Sequence, residues 1–496
     1  MNSLITGLVV FLISFLPRIF RLGNIMTTDE YLWVSRSRQF INALVRHDWQ
    51  DTLISGHPGI TTMLLVGNSQ KFLPYLFGVI KNNFKYPFYA KFPIALVTSL
   101  GCVLIYFLIR KIFNNQIAVI SSLFIAVDPF YLAHSRVAHI DALLTTFMTI
   151  SVLFLIIYFN HSKKKYLFLS AVFAGLSFLT KLPSLFLAPF TIILLFWENK
   201  RHKKTISDFL KELALFFSIS LAIFITLWPA TWVTPIKTIK LLLRSILIGA
   251  THFHENKAYF MGKIIHRINP FFYPISLALK LTSVSLLFSV FTIMFLSKKL
   301  KSRNIKIILF YIIFFFLFIW GCSKQGDRYL LPIFPMIDLL AAFGLFHLTS
   351  SITKCSTAAS LGLIFLQSLF YLPLCPYYLA YFNPLLGGSK RAPLISTIGW
   401  GEGMNLAAKY LNKKPEAEKI VAAIQYLGAK PFFRGKAVSM KNINDANYVV
   451  FYIGALQRRF NPKLWANYKN KKPEKTIIIN HIPYCQIYKV QKNIKK

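Results

Sequence analysis

Apolar runs of roughly 16–22 residues recur through the first three quarters of the chain, and this recurrence limits the fold more than any other feature. A bilayer core about 30 Å thick takes about 20 apolar residues per helical crossing. Mean hydropathy is +0.52, and 55% of the 496 residues are hydrophobic, 48 of them Phe. A soluble chain of this size cannot hide so much apolar surface in domain-sized cores. The expected fold class is an all-α polytopic membrane domain of about 11 transmembrane helices. Spans are expected near 4–22, 90–110, 115–132, 138–159, 166–181, 183–198, 213–230, 271–296, 306–321, 329–349 and 357–373. The first run has no small-residue cleavage site and leads into Arg18 and Arg21, so it reads as a retained helix.

A net charge of +40 raises the question of nucleic acid, but its placement answers no. Basic clusters fill the short gaps: Arg110/Lys111, "HSKKK", "ENKRHKK", "SKKLKSRNIK" and Lys354. That is the positive-inside pattern, so these gaps are expected to be cytoplasmic. The chain then enters the cell (plasma) membrane with its N-terminus cytoplasmic and its C-terminus external. Three external segments are long: about 23–89, about 231–270 and the tail from 374. Within the first, residues 59–80 are apolar but interrupted by "GNSQK" and Pro74, which suggests helices lying on the membrane. Five cysteines form no CxxC pair; they read as small residues of helices and loops, with a Cys322–Cys375 disulfide left open.

The expected organisation is a membrane catalytic domain over 1–373 and a small soluble external α/β domain over 374–496. In the tail, "KIVAAI", "NYVVFYI" and "KTIIINHIPYCQIYKV" read as strands, the last a hairpin turning at "HIP", with "GMNLAAKYL" helical. The tail carries 21 Lys/Arg against 5 Asp/Glu. Long translocated domains escape the positive-inside rule, so this charge does not oppose an external placement. It reads as a solvated face, with anionic headgroups or a phosphate-bearing substrate as the alternative.

No gap on the basic side is long enough for a nucleotide-binding domain, and neither GxxxxGK[ST] nor a strand-linked GxGxxG occurs. Chemistry is therefore expected on the external face. Asp29 and Glu30 open the first external loop. Asp128, His134, Arg136, His139 and Asp141 sit at outer helix ends, as do Lys324, Asp327 and Arg328. Ionisable residues near membrane depth are costly and mark function or pairing. A carboxylate among Arg and Lys at a bilayer surface suits one reaction type. Arg holds a lipid-linked phosphate as it leaves, and the carboxylate takes the proton of an attacking hydroxyl. Departing phosphate needs charge stabilisation rather than a separate acid.

The stretches "TTDEYLW", "HSRVAHIDALLTTF", "GLSFLTKLPS", "KQGDRYLLPIFP" and "GWGEGMNLAAKYLN" occur in that order. With them the chain resembles the GT-C glycosyltransferases, specifically family-39-like enzymes related to protein O-mannosyltransferases and the lipid A aminoarabinose transferase. The resemblance covers essentially the whole chain. It implies inverting transfer of one sugar from a polyprenyl-phosphate donor to an acceptor hydroxyl outside the membrane. It places the catalytic candidates at Asp29, Glu30 and Asp141, with Asp29 as base and Glu30 supporting the fold or orienting the acceptor. Arg328, in "RYLLP", is the donor-phosphate candidate, together with Lys324 and Arg136.

"SGHPGITT" is similar to the family's sequences too, and His57 there is a candidate for the acceptor cleft, against a structural loop role. "TKLPS" stands where many relatives pair Lys with Gly, which leaves Lys181 without a phosphate assignment. In "THFHENKAYFMGK", His252, His254 and Glu255 read as an ordinary loop, so no metal ligand is assigned. Some relatives use a divalent cation, so a cation cofactor stays open. Expected partners are the polyprenyl-phosphate sugar, a protein, lipid or glycan acceptor, and membrane lipids, without nucleic acid. A transporter or flippase of lipid-linked sugars is the alternative, but transporters carry their ionisable residues near the bilayer midplane on broken helices.

Overall fold

The computed structural model describes residues 2–76, 86–251, 258–266, 268–296, 302–425 and 427–490. The first predicted span is α1 (Ser3–Ile19), its start capped by Asn2 Oδ1 accepting from Leu4 N at 3.1 Å. Next come α2 (Thr28–Val45), α3 (Ile60–Leu76), α4 (Tyr86–Ile112), α5 (Asn115–Val127) and the short α6 (Pro129–His134). Then follow α7 (Asp141–His161), α8 (Lys164–Thr180), α9 (Leu187–Arg201), α10 (Ile206–Leu227), α11 (Ala230–Val233) and α12 (Pro235–Thr251). A bend of 115° separates α13 (Phe272–Lys280) from α14 (Ser283–Phe291), and α15 (Arg303–Trp320), α16 (Phe334–Ile352) and α17 (Ser356–Ser368) follow.

All eleven expected segments are helical. Among the described residues, eight stretches are long and apolar enough to cross a bilayer, nine if the bent pair is one crossing. The other two are α5, with 13 residues, and α8, with 17. At about 1.5 Å per residue these reach roughly 20 and 26 Å; α8 still joins the two ends of the bundle, since Lys181 just past it meets Asp141 at the start of α7. A break at Asp128 prolongs α5 into α6, where the Asp128 side chain caps Tyr131 N at 2.7 Å. Residues 60–76, expected to lie on the membrane in pieces, form the single helix α3, packed on α2 and α4.

Burial divides the helices into an inner and an outer set. Leu4, Ile5, Leu8, Leu12 and Leu16 of α1 face outward, as a lipid-facing stripe requires. α7 is enclosed from Asp141 to Phe159, and the stretch Asp327–Ile352 is nearly so. Small residues let the inner helices close up, as membrane helices need. A Cβ on Gly175 of α8 would come within 2.8 Å of the Ser220 carbonyl on α10. Ser151 and Ser170 hydroxyls donate to each other's carbonyls across α7 and α8, at 2.8 and 2.9 Å.

The two ends of α7 differ in chemistry. At its C-terminal end, Arg303 donates to Glu198 and Asn160 (2.9 and 2.8 Å), Lys111 lies over Tyr166, and Lys204 over Tyr158. Described residues in or flanking four of the five basic gaps thus gather at one end. Asp141 begins the helix at the other, about 30 Å away for a 21-residue helix.

After a small hairpin of β1 (Ala258–Phe260) and β2 (Lys263–Ile265) come α18 (Gly388–Ile395), α19 (Met404–Leu411) and a five-stranded sheet. Its strands are β3 (Val421–Ile424), β4 (Lys436–Val438), β5 (Tyr448–Tyr452), β6 (Lys475–Ile479) and β7 (Ile482–Lys489), in order β4-β3-β5-β7-β6. β3 pairs parallel with β4 and β5, while β7 runs antiparallel to β5 and β6. The final hairpin turns at Asn480–His481, one residue before the expected "HIP", because both residues take the left-handed conformation (φ 47° and 65°) that a two-residue turn needs. β4 and the β1–β2 hairpin were not expected; three residues are too few for a periodic signal. All five cysteines are free, so Cys322 and Cys375 form no disulfide.

Candidate active site

Asp29 reaches its position through the cap of α2. Thr27 and Glu30 form a capping box in which Glu30 Oε2 accepts from Thr27 N at 2.6 Å. Glu30 Oε1 accepts from Ala138 N at 2.8 Å and lies 3.2 Å from Lys91 Nζ, with both side chains buried. Both oxygens of Glu30 are thereby engaged within the fold, so the structure does not bring its carboxylate together with that of Asp29 as expected. Asp29, one residue earlier, points the other way and is partly exposed.

Two inner helices deliver its partners. Arg328 lies in the 3-10 turn Asp327–Ile333 that leads into α16. Its Nη1 is 2.7 Å from Asp29 Oδ2, and its Nε is 4.0 Å from Asp141 Oδ2. Asp141 is buried at the start of α7, where Lys181 Nζ meets Oδ1 at 2.5 Å. His139 stands between the two carboxylates, Nδ1 3.0 Å from Asp141 Oδ2 and Nε2 3.9 Å from Asp29 Oδ2. Asp29, Asp141 and Arg328 thus meet at one place from three distant parts of the chain.

The other expected residues divide. His57 and Lys324 approach the same cluster: burial first, then the charges of Lys181 and Lys324, push the His57 imidazole down to about 3. Arg136 does not join it. Its guanidinium donates to the carbonyls of Pro17, Arg18 and Phe20, the latter two at 2.9 and 2.7 Å. It satisfies the unpaired carbonyls at the end of α1, so the structure does not bring it to the Asp29–Arg328 cluster where the donor phosphate is expected. His252, His254 and Glu255 lie outside the described residues.

A cavity of about 510 Å³ opens beside Asp29. Asp29, Lys280 and Arg328 line it from the helices, and Trp400, Gln425 and Arg458 from the tail. Lys280 Nζ lies 3.6 Å from Asp327 and 4.0 Å from the centre of the Phe382 ring. Lys280 and Trp400 were missed as site residues. Lys280 is a lone Lys in an apolar run, and "GWGEG" carries a family resemblance but no local signal of its own for a site.

Charge balance fixes the protonation of the site. Burial by itself raises the Asp29 carboxyl, but Arg328 and His139, with hydrogen bonds from Arg328 and Trp400, outweigh it and hold Asp29 below the ordinary carboxylate value. Burial holds His139 below its usual value and His134 at about 3, so both are neutral near pH 7. Each acid of the pair is matched by a cation, Asp29 by Arg328 and Asp141 by Lys181, an arrangement that does not fit a divalent metal. Among the described residues no group of three or more His, Cys, Asp or Glu is placed to hold a metal ion.

An ionised carboxylate, a cluster of cations and a cavity thus lie together at one end of a multi-pass bundle of apolar helices. Residues 80–229 match the sequence model of the family described as dolichyl-phosphate-mannose-protein mannosyltransferase. In fold the chain is similar to ArnT from Cupriavidus metallidurans, solved bound to undecaprenyl phosphate. The TM-score is 0.53 at 12% identity, covering 98% of this chain and 96% of that one. It is also similar to the archaeal oligosaccharyltransferase AglB from Archaeoglobus fulgidus, solved with an inhibitory peptide and a dolichol-phosphate. Here the TM-score is 0.53 at 13% identity, covering 92% of this chain and 70% of that one. No curated protein matches in sequence.

Proposed function

We propose that the chain is an inverting glycosyltransferase that moves one sugar from a polyprenyl-phosphate donor to an acceptor hydroxyl. The observation that carries this reading is the Asp29–Arg328 pair, 2.7 Å apart, at the wall of the cavity. Asp29 accepts the proton of the acceptor hydroxyl as its oxygen bonds to the anomeric carbon from one face. The bond from that carbon to the phosphate breaks on the other face, its electron pair passing to the phosphate oxygen. Arg328 and Lys324 balance the charge that develops there. Asp141, Lys181 and His139 hold Arg328 and Asp29 in register from behind. The solved relatives, one bound to undecaprenyl phosphate and one to a dolichol-phosphate, support this kind of donor.

The site lies at the end of the bundle opposite the basic gaps, so the positive-inside rule puts it on the external face, with the N-terminus cytoplasmic. The tail from residue 374 is then an external domain. Labelling single cysteines at Lys163 and Lys463 with a membrane-impermeant thiol reagent, in a cysteine-free protein, tests this: only position 463 reacts in intact cells. Activity is tested by supplying polyprenyl-phosphate mannose, glucose and arabinose in turn to membranes that contain the protein. Transfer from one of them, with inverted anomeric configuration, is expected. Retention of configuration contradicts the single-displacement mechanism.

A further inference from the structure

Asp29 and Arg328 present a conflict if the proposed function holds. The guanidinium that neutralises the base is also the group that must receive the donor phosphate. When the phosphate arrives, Arg328 loosens its hold on Asp29. Something else must then keep the carboxylate aimed, and the chain supplies a candidate from the tail.

Trp400 lies in the loop "GWGEG" between α18 and α19. Its indole lines the cavity beside Asp29 and helps to hold that carboxyl below its ordinary value. Its ring stands 5.0 Å from the Arg328 guanidinium carbon and 5.1 Å from the His139 ring centre, nearly perpendicular to the latter. Its carbonyl accepts from Thr28 N at 3.0 Å, the residue immediately before Asp29. The loop itself is held tightly. Glu402 is buried, and its Oε2 accepts both Trp400 N (2.5 Å) and the Tyr452 hydroxyl (3.0 Å). Gly401 N donates to the same Tyr452 oxygen at 2.9 Å. Gly401 takes φ +128°, and a Cβ there would come within 2.8 Å of the Met26 carbonyl, so only Gly lets the loop approach α2 this closely. Tyr452 ends β5, at the centre of the sheet.

From this geometry, and resting on the transferase reading above, we infer that Trp400 is the positioning residue that holds Asp29 when Arg328 turns to the donor phosphate. Tyr452 and Glu402 anchor Trp400 to the sheet. The tail thereby takes part in the reaction as the mount for a second donor to the base. The indole N–H needs no counter-charge, does not compete for phosphate, and is fixed at both of its backbone neighbours.

The test uses undecaprenyl phosphate as the probe, so neither the sugar nor the acceptor need be known. Its affinity for the purified full chain is measured from pH 4 to pH 8 and referred at each pH to that of Asp29→Asn, which carries the probe's own ionisation at about pH 6 without that of Asp29. Binding withdraws Arg328 from Asp29, so the Asp29 pKa rises in the complex and acidification tightens binding through that window. Trp400→Phe keeps a ring over Arg328 but removes the N–H. The onset of tightening should then move up by about 1–2 pH units, the worth of a hydrogen bond to a charged group. Adding Asp29→Asn to Trp400→Phe should abolish the tightening altogether. Tyr452→Phe, which leaves Trp400 intact but cuts its anchor, should move the onset the same way by less; it stands in should Trp400→Phe not fold. Superimposable curves for the unaltered protein and both variants overturn the inference. Failure of the unaltered protein to bind the probe at any pH overturns the proposed function, and this inference with it.

Discussion

Arg328 Nη1 sits 2.7 Å from Asp29 Oδ2 although 299 positions separate the two residues in sequence. Arg328 also lies 4.0 Å from Asp141, so one guanidinium spans both acids of the site. A charged pair at the lip of a cavity, rather than sealed in a core, is available to a ligand.

Replacing Arg328 should therefore do two things at once. Arg328→Ala removes the phosphate partner and releases Asp29 from its main counter-charge. Affinity for undecaprenyl phosphate should fall by about 10- to 100-fold, the usual worth of a charge-assisted pair. The acid limb of the pH–rate profile should move to higher pH in the same variant. A variant that weakens binding but keeps the wild-type acid limb would separate Arg328 from Asp29.

Glu30 should behave as a structural residue. Glu30→Gln leaves the Lys91 ammonium buried without its counter-charge, which costs about 3–5 kcal/mol of stability. Adding Lys91→Met should restore much of the loss, because no lone charge remains. Folded protein of the double variant should keep its kcat. A large fall in kcat with unchanged thermal stability would return Glu30 to the catalytic group.

The pH dependence follows from the direction of each shift. Asp29 is held below its ordinary value in the folded protein, so its charge is present above the unfolded carboxylate value of about 3.9 and is lost as pH falls through the lower folded value. The kcat/KM value, which reports the free enzyme, should accordingly persist down to about pH 4, with an acid limb below it. His57 and His134, both at about 3, and His139, held below its usual value, should contribute no inflection between about pH 6 and 8. An inflection near pH 6.5 that disappears in His139→Gln would contradict this balance.

Much of the architecture was legible because membrane helices announce themselves by length and apolarity. All eleven segments could be read, and described residues of four of the five basic gaps do gather at one end of α7. The failures lie where sequence carries no geometry. Asp29 and Glu30 are adjacent acids, yet one turns to the cavity and the other into a cap beside Lys91, a difference set by helical phase and by Ala138 across the fold. Arg136 looked like a phosphate ligand by its type and place, but three carbonyls at the end of α1 claim it. Trp400 was hidden for a different reason: its importance depends on the tail folding back over α2, which no local pattern encodes. β4, three residues long, was too short to read.

The central claim is that Asp29 is the general base, and one paired measurement addresses it directly. Asp29→Asn keeps the size and hydrogen-bonding reach of the side chain and removes the proton acceptor. Sugar transfer and undecaprenyl phosphate affinity are then measured on the same purified protein. The expected result is a fall in kcat of about 10²–10⁴-fold with donor binding retained or tightened, because the amide leaves Arg328 free for phosphate. Full turnover by Asp29→Asn would contradict it and move the base to another group.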